Sequence, residues 1–226
     1  MPSVWAVLCA LAAFCLVLPC AVEAAPFGKK DLKRMSVFIS NFTELGFYDL
    51  DVTNESGEAL YDLDVKNGSD WVLSLGGPDS APDLIHFGIW HNYLNNESRI
   101  KKCAKKNCEH GSLTIEGKFV QESVKKYFDL NLKNRSEMES DYPPYYFDGK
   151  LYHFEGADGQ GEVLYYPEVK TASQEGGVVR MSGEIYSMED LKIEKSSLGT
   201  FQAVAKPYKW NGKDTWAILS LRREYQ

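Results

Sequence analysis

Cysteine is scarce where it could act. Five occur in 226 residues, but Cys9, Cys15 and Cys20 fall within the first twenty-four, leaving Cys103 and Cys108 beyond them. If those two bond, no free thiol remains for nucleophilic catalysis. The chain also lacks Gly-x-Ser-x-Gly, His-Glu-x-x-His and a glycine-rich phosphate loop. These absences remove the motif-based hydrolase, zinc-peptidase and nucleotide-binding classes. A glycosidase working through a carboxylate pair needs no local motif, and thirty-two acidic residues do not single out such a pair. Basic residues are outnumbered, 25 to 32, for a formal charge of −7. That balance argues against nucleic acid as the main partner. No apolar run after Ala24 is long enough to cross a bilayer.

The apolar run that is present lies at the start. Val4 to Leu18 is about fifteen residues, the length of a signal-peptide core rather than a membrane span. Pro19 ends it, and Val22-Glu23-Ala24 puts small residues at the positions that signal peptidase reads. The segment before the run has no Lys or Arg, a departure from the usual form. We expect residues 1–24 to be a secretory signal cleaved after Ala24, changing the formal charge from −7 to −6 with the loss of Glu23. We expect no transmembrane segment after its removal, and no lipid-anchor signal in Leu221–Gln226.

Export agrees with two further features. A cysteine pair in an oxidising compartment bonds, here closing the short ring Cys103-Ala-Lys-Lys-Asn-Cys108. So small a ring shapes a loop more than it stabilises a fold. Five Asn-x-Ser/Thr triplets follow, at Asn41, Asn54, Asn67, Asn96 and Asn134, where composition alone predicts about one. The expected product is a secreted glycoprotein.

Residues 25–34 are basic and polar and read as a flexible segment, or as a short pro-segment released at Lys33-Arg34. From Met35 onward, period-two alternation predicts strands at 35–40, 46–53, 59–66, 70–75, 83–90, 112–120, 127–133, 150–155, 162–169, 177–186, 190–195, 200–208 and 214–222. One short helix competes near 119–129, where Phe119, Val120, Val124, Tyr127 and Phe128 share a helical face. The fold class is therefore all-β with at most that helix, as an antiparallel barrel or a two-sheet sandwich over 35–226.

A motif recurs as Tyr48-Asp-Leu-Asp-Val-Thr-Asn54, Tyr61-Asp-Leu-Asp-Val-Lys-Asn67 and Phe128-Asp-Leu-Asn-Leu-Lys-Asn134. A weaker copy, without the asparagine, spans 189–197. Leu84-Ile-His86-Phe and Leu151-Tyr-His153-Phe align as well. These matches suggest three diverged strand units near 35–108, 109–175 and 176–226. The paired Asp residues invite a calcium reading, but Lys66 stands where an oxygen ligand is needed, so we expect a solvated acidic face and no metal. His86 and His153 have no matched acidic neighbours, so they read as core histidines rather than ligands.

Arg99, Lys101, Lys102, Lys105 and Lys106 crowd into eight positions beside the cysteine ring and are the best guess for a contact surface. Tyrosines at 142–146, 152 and 165–166 could pack a core or line an apolar cavity. The leading expectation is a non-catalytic secreted or surface-associated glycoprotein that binds a partner. A barrel carrier of a lipid or small apolar ligand, and a glycan-acting hydrolase, are the alternatives. The partner would be a protein, a glycan or a small apolar ligand, and no cofactor is implied.

Overall fold

Residues that repeat every three or four positions build the first element. Met35, Phe38, Ile39 and Phe42 are buried while Val37 is 53% exposed, the pattern of a helix with one face covered. The structure, a computed structural model that describes residues 27–52, 73–74, 80–104, 108–138, 144–156, 164–189 and 192–225, places them on helix α1, Lys29–Thr43. Asp31 receives the Gly28 N–H at 3.2 Å and so closes the exposed first turn. The strand expected at 35–40 is therefore helical, because the alternation seen in six residues gives way to a 3.6 period over fifteen. Lys29–Arg34, expected to be flexible, are its first turns.

Two short strands, β1 (Leu50–Asp51) and β2 (Leu73–Ser74), precede helix α2, Ala81–Asn95. This helix replaces the strand expected at 83–90. Its buried residues include Leu84, Ile85, Phe87, Gly88, Ile89, His91 and Asn92, so it is covered on nearly every side and shows no amphipathic stripe. A proline in its first turn and Asp83 beside it were the legible start signals. A 3₁₀ turn at Glu97–Arg99 leads to β3 (Lys101–Lys102) and β4 (Leu113–Glu116), then to α3, Gly117–Phe128. This last helix agrees with the one expected near 119–129. Strands β5 (Tyr146–Phe147), β6 (Leu151–Phe154), β7 (Leu164–Glu175), β8 (Val178–Glu189), β9 (Lys192–Trp210) and β10 (Lys213–Tyr225) complete the order.

Strand structure dominates, in two open sheets. One has the order β2-β1-β10-β9-β8-β7 and the other β3-β4-β6-β5. Pairing is antiparallel except between β1 and β2. Among the described residues neither sheet closes on itself, so the barrel alternative is corrected to open sheets. The all-β expectation also understated helix, with three α-helices among the described residues where one was foreseen.

The helices cover the large sheet and join it to the small one. Helix α1 lies on β7, where Ser36 Oγ accepts the Val169 N–H at 2.9 Å and Thr43 donates to the Tyr165 carbonyl at 3.0 Å. Helix α3 packs on α2 and touches β10 of one sheet and β4 of the other. Its C-terminal end is fixed by Asp129, which adopts φ 56° and bonds Lys125 at 2.8 Å and Lys206 of β9 at 2.6 Å. Those two ammonium groups hold the Asp129 carboxyl below its ordinary range through hydrogen bonding.

The proposed repeats do not share local structure. Leu84–Phe87 is helical and Leu151–Phe154 is a strand. In the motif copies, Leu50–Asp51 is a strand, Phe128 ends a helix, and the copy at 61–69 lies outside the described residues. The unit at 109–175 contains a helix that the unit at 176–226 lacks among its described residues.

Helices α2 and α3 cross most closely at Gly88, where an added Cβ would lie 2.5 Å from Val120 Cγ1 and 2.9 Å from the Val120 carbonyl oxygen. Gly88→Leu is expected to destabilise the fold by about 1–3 kcal/mol through overpacking. A urea unfolding curve checks this: the midpoint should fall, and Val120→Ala in the same chain should recover part of the loss.

Candidate functional site

The basic loop divides on folding. Arg99 turns inward, donating to Asn92 Oδ1 at 3.1 Å, pairing with Glu122 at 3.4 Å and lying 4.5 Å over the Phe119 ring. It braces α2 against α3. Lys101 and Lys102 are exposed on β3, and Lys105 and Lys106 lie outside the described residues. The structure therefore keeps two of the five expected contact residues at the described surface and commits one to the fold.

A second basic surface was not foreseen. Two adjoining hollows share Lys126 and Thr215. One, of about 430 Å³, lies between α2, α3 and the β9–β10 hairpin, with Arg99, Lys126 and Lys213 facing Glu122 and Asp214. The other, of about 400 Å³, lies along α1, with Lys30, Lys33, Arg34 and Lys126 over Val37, Phe38, Tyr127 and Trp216. Among the described residues, no carboxylate lines this second hollow. Together they bring six cations and two carboxylates into one groove on a chain whose net charge is −7.

Helical spacing explains half of it. Lys30, Lys33 and Arg34 stand at i, i+3 and i+4 on α1 and so share a face. Arg34 donates to the Asp214 carbonyl at 3.2 Å, lies 5.2 Å over the Trp216 ring and pairs loosely with Asp31 at 3.9 Å. Lys126 donates to the Tyr127 hydroxyl at 2.9 Å, which donates to Asn41 Oδ1 at 3.1 Å. Burial, then the Arg99 charge, lowers the pKa of Lys126, so desolvation and repulsion both favour an anion beside it.

The expected glycosylation sites differ in setting. Asn41 lines the second hollow, and its Nδ2 donates to the Val37 carbonyl at 2.6 Å. Asn134 accepts from the Tyr152 hydroxyl at 3.2 Å. Asn96 follows α2, with exposed Glu97 and Ser98 after it. Asn54 and Asn67, like residues 1–24, lie outside the described residues.

Cys103 and Cys108 are joined by a disulfide. Cys103 Sγ is 4.0 Å from Nδ1 of His153, and His153 Nε2–H donates to Asp148 Oδ2 at 2.9 Å. Asp148 Oδ1 accepts the backbone N–H groups of Lys150 at 2.9 Å and Leu151 at 2.7 Å. The His153 bond foremost, with these backbone bonds, lowers the Asp148 pKa to about 2. His153 is thus buried as expected, with a carboxylate as its partner. Among the described residues, no group of three or more His, Cys, Asp or Glu side chains is placed to hold a metal.

The apolar hollow of Tyr48, Tyr165, Ile185, Leu198 and Gly199 has about 230 Å³. That is below the roughly 300–1,000 Å³ of ordinary small-molecule pockets. Tyr145 and Tyr152 are fully buried, so those tyrosines fill the core.

His91 is buried and His86 is half-buried. His86 shares a 2.5 Å hydrogen bond with the Tyr145 hydroxyl, and His91 stacks on Phe87 at 5.5 Å. Burial lowers both to about 4, helped for His91 by Lys126 and Arg99. The fold holds both rings neutral while the unfolded chain protonates near 6.5. Stability is therefore complete above pH 6.5 and declines as pH falls from there toward 4, by as much as about 2 kcal/mol per histidine at pH 4.5. Urea unfolding at pH 7 and pH 4.5 should show this loss, and His91→Phe should halve the pH dependence. Asp148 stays ionised throughout that window. Compared with known families, curated proteins and solved structures, the chain matches none.

Proposed function

We propose that the protein is an exported glycoprotein that binds a sulfated glycan along the groove between α1 and the β9–β10 hairpin. The observation that carries this reading is the hollow lined by Lys30, Lys33, Arg34 and Lys126, with no carboxylate among its described lining residues. A row of like charges on an acidic protein stores repulsion that a polyanion relieves. The apolar floor of Val37, Phe38 and Trp216 lowers the local dielectric and strengthens each contact. Export is supported by the apolar leader with its small-residue cleavage site, the excess of sequons and the disulfide.

The groove displaces the 99–108 loop as the contact surface. Arg99 is engaged in bracing the helices, whereas Lys30 and Lys33 are exposed. Asn41 sits in the same hollow, so a glycan there would compete with a ligand.

Chromatography on immobilised heparin tests the proposal with protein purified from a secretory host. Retention at low salt is expected, weakening as ionic strength rises. Lys30→Ala with Lys33→Ala should weaken binding about 3–10-fold, the sum of two exposed ionic contacts. Lys101→Ala with Lys102→Ala should leave it unchanged, and Asn41→Gln should raise it if Asn41 carries a glycan. Flow-through at low salt overturns the polyanion reading. Loss of retention only in the Lys101/Lys102 variant moves the contact back to the loop.

A further inference from the structure

The disulfide adjoins an imidazole–carboxylate couple that a purely structural bond has no use for. Cys103 leaves β3 with its N–H bonded to the Ser112 carbonyl at 2.8 Å, which continues the β3–β4 pairing. The next strand, β6, pairs with β4 so that His153 stands opposite Thr114. These registers put Lys101 level with His153 and Cys103 diagonally across from it, with Cys103 Sγ 4.0 Å from the ring's Nδ1. Gly111 presses the returning loop against the end of β6. Its φ is +116°, and a Cβ there would lie 2.2 Å from the Phe154 carbonyl carbon. No side chain fits at that position, so the loop is held against the strand that carries the imidazole.

We propose that Cys103–Cys108 is a thiol–disulfide exchange centre acting on dithiols, with His153 as the base and Asp148 as its positioning residue. Because Nε2–H donates to Asp148, the Nδ1 lone pair is left facing Cys103 Sγ at 4.0 Å. In the disulfide neither sulfur carries a proton or charge, and the contact is idle. It becomes an ion pair when Cys103 is released as a thiolate and Nδ1 is protonated.

The exchange balances as follows. The first thiol of a dithiol gives its proton to His153 Nδ1 and its thiolate attacks Cys108 Sγ. A bond forms to Cys108, the Cys103–Cys108 bond breaks, and the electron pair goes to Cys103, which faces the imidazolium. The second thiol of the substrate, losing its proton to water, then attacks its own sulfur in the mixed disulfide. Cys108 leaves as a thiolate and takes up a proton. The dithiol has lost two electrons and two protons; the cysteine pair has gained both electrons, with one proton on Cys108 and the other on the His153 imidazolium beside the Cys103 thiolate.

Other groups near the imidazole are identifiable. Tyr146 of β5 lies 6.0 Å from His153, with His110 stacked on Tyr146 at 4.1 Å. The flanking strands carry Lys101 and Lys102 on β3 and Glu116 on β4, while Glu155 after β6 is held by Ser112 at 2.7 Å. The two lysines also favour a thiolate, so the test must separate their effect from that of the imidazole.

The test measures two rates on full-length protein from a secretory host. The first is reduction of the disulfide by dithiothreitol at pH 6. The second is alkylation of the reduced protein by iodoacetamide from pH 5 to 9, with modification assigned to Cys103 by peptide mass spectrometry. Cys103 should be alkylated well below the pH of about 8.5 at which an ordinary thiol half-ionises. His153→Gln should slow both reactions at pH 6 about tenfold, the effect of one unit in thiol pKa. Asp148→Asn, at a partly exposed turn, should slow them less, and Lys101→Ala with Lys102→Ala least. An ordinary alkylation profile for the wild-type chain overturns the proposal even if His153→Gln fails to fold. Rates unchanged in a folded His153→Gln chain overturn it equally.

Discussion

The fold depends on a cluster of aromatic rings where the three helices meet. Phe42 of α1 stacks on Phe87 of α2 at 5.5 Å and meets Phe128 of α3 edge-on at 5.4 Å. Phe87 and Phe128 approach to 4.7 Å. Tyr127 and Phe38 extend the cluster toward Trp216 of β10. Each such pair contributes about 0.5–1.5 kcal/mol beyond its burial. The rings therefore set the helix positions, and the helices set where the sheets sit. Phe38, Tyr127 and Trp216 also floor the basic groove, so the interaction that holds the helices together also shapes its surface.

The groove and the disulfide centre belong to different parts of the molecule. The first is built on α1, α3 and the large sheet, the second on the small sheet. Helices α2 and α3 connect them, with α2 packing Trp90 and Tyr93 on Phe154 of β6, and Arg99 braces the two helices from the residue just before the short segment entering β3. Arg99 is thus structural support for both, and its charge acts on Lys126 within the groove.

Much of the sheet was legible in the sequence. The strands from Leu164 onward alternate, and Gly176-Gly177 and Asn211-Gly212, all at positive φ, mark the hairpins that join them. Helix α3 was legible because one face is apolar. Helix α1 was masked by a β-branched stretch too short to reveal its period, and α2 because burial on nearly every side leaves no polar face to count. The disulfide followed from cysteine number and the expectation of export. Its imidazole neighbour did not, since only strand register brings Cys103 to His153, fifty residues away. The groove was hidden for the same reason. Lys30, Lys126 and Thr215 are remote in sequence and meet through the packing of α1 and α3 on β10.

The order of strands has a consequence for how the molecule is made. Strand β10 lies between β1 and β9, with Leu50 opposite Leu221. Helix α1 rests on β7, more than a hundred residues later. During synthesis, Met35, Phe38, Ile39 and Phe42 wait without a partner while the rest of the chain is produced. Closure of loops this long is slow. Until α3 is made, the Asn41 side chain lacks the Tyr127 hydroxyl that later donates to its Oδ1. Under the export proposed above, a sugar added to Asn41 before α3 arrives would fill the groove from the outset, whereas a bare Asn41 would leave it open.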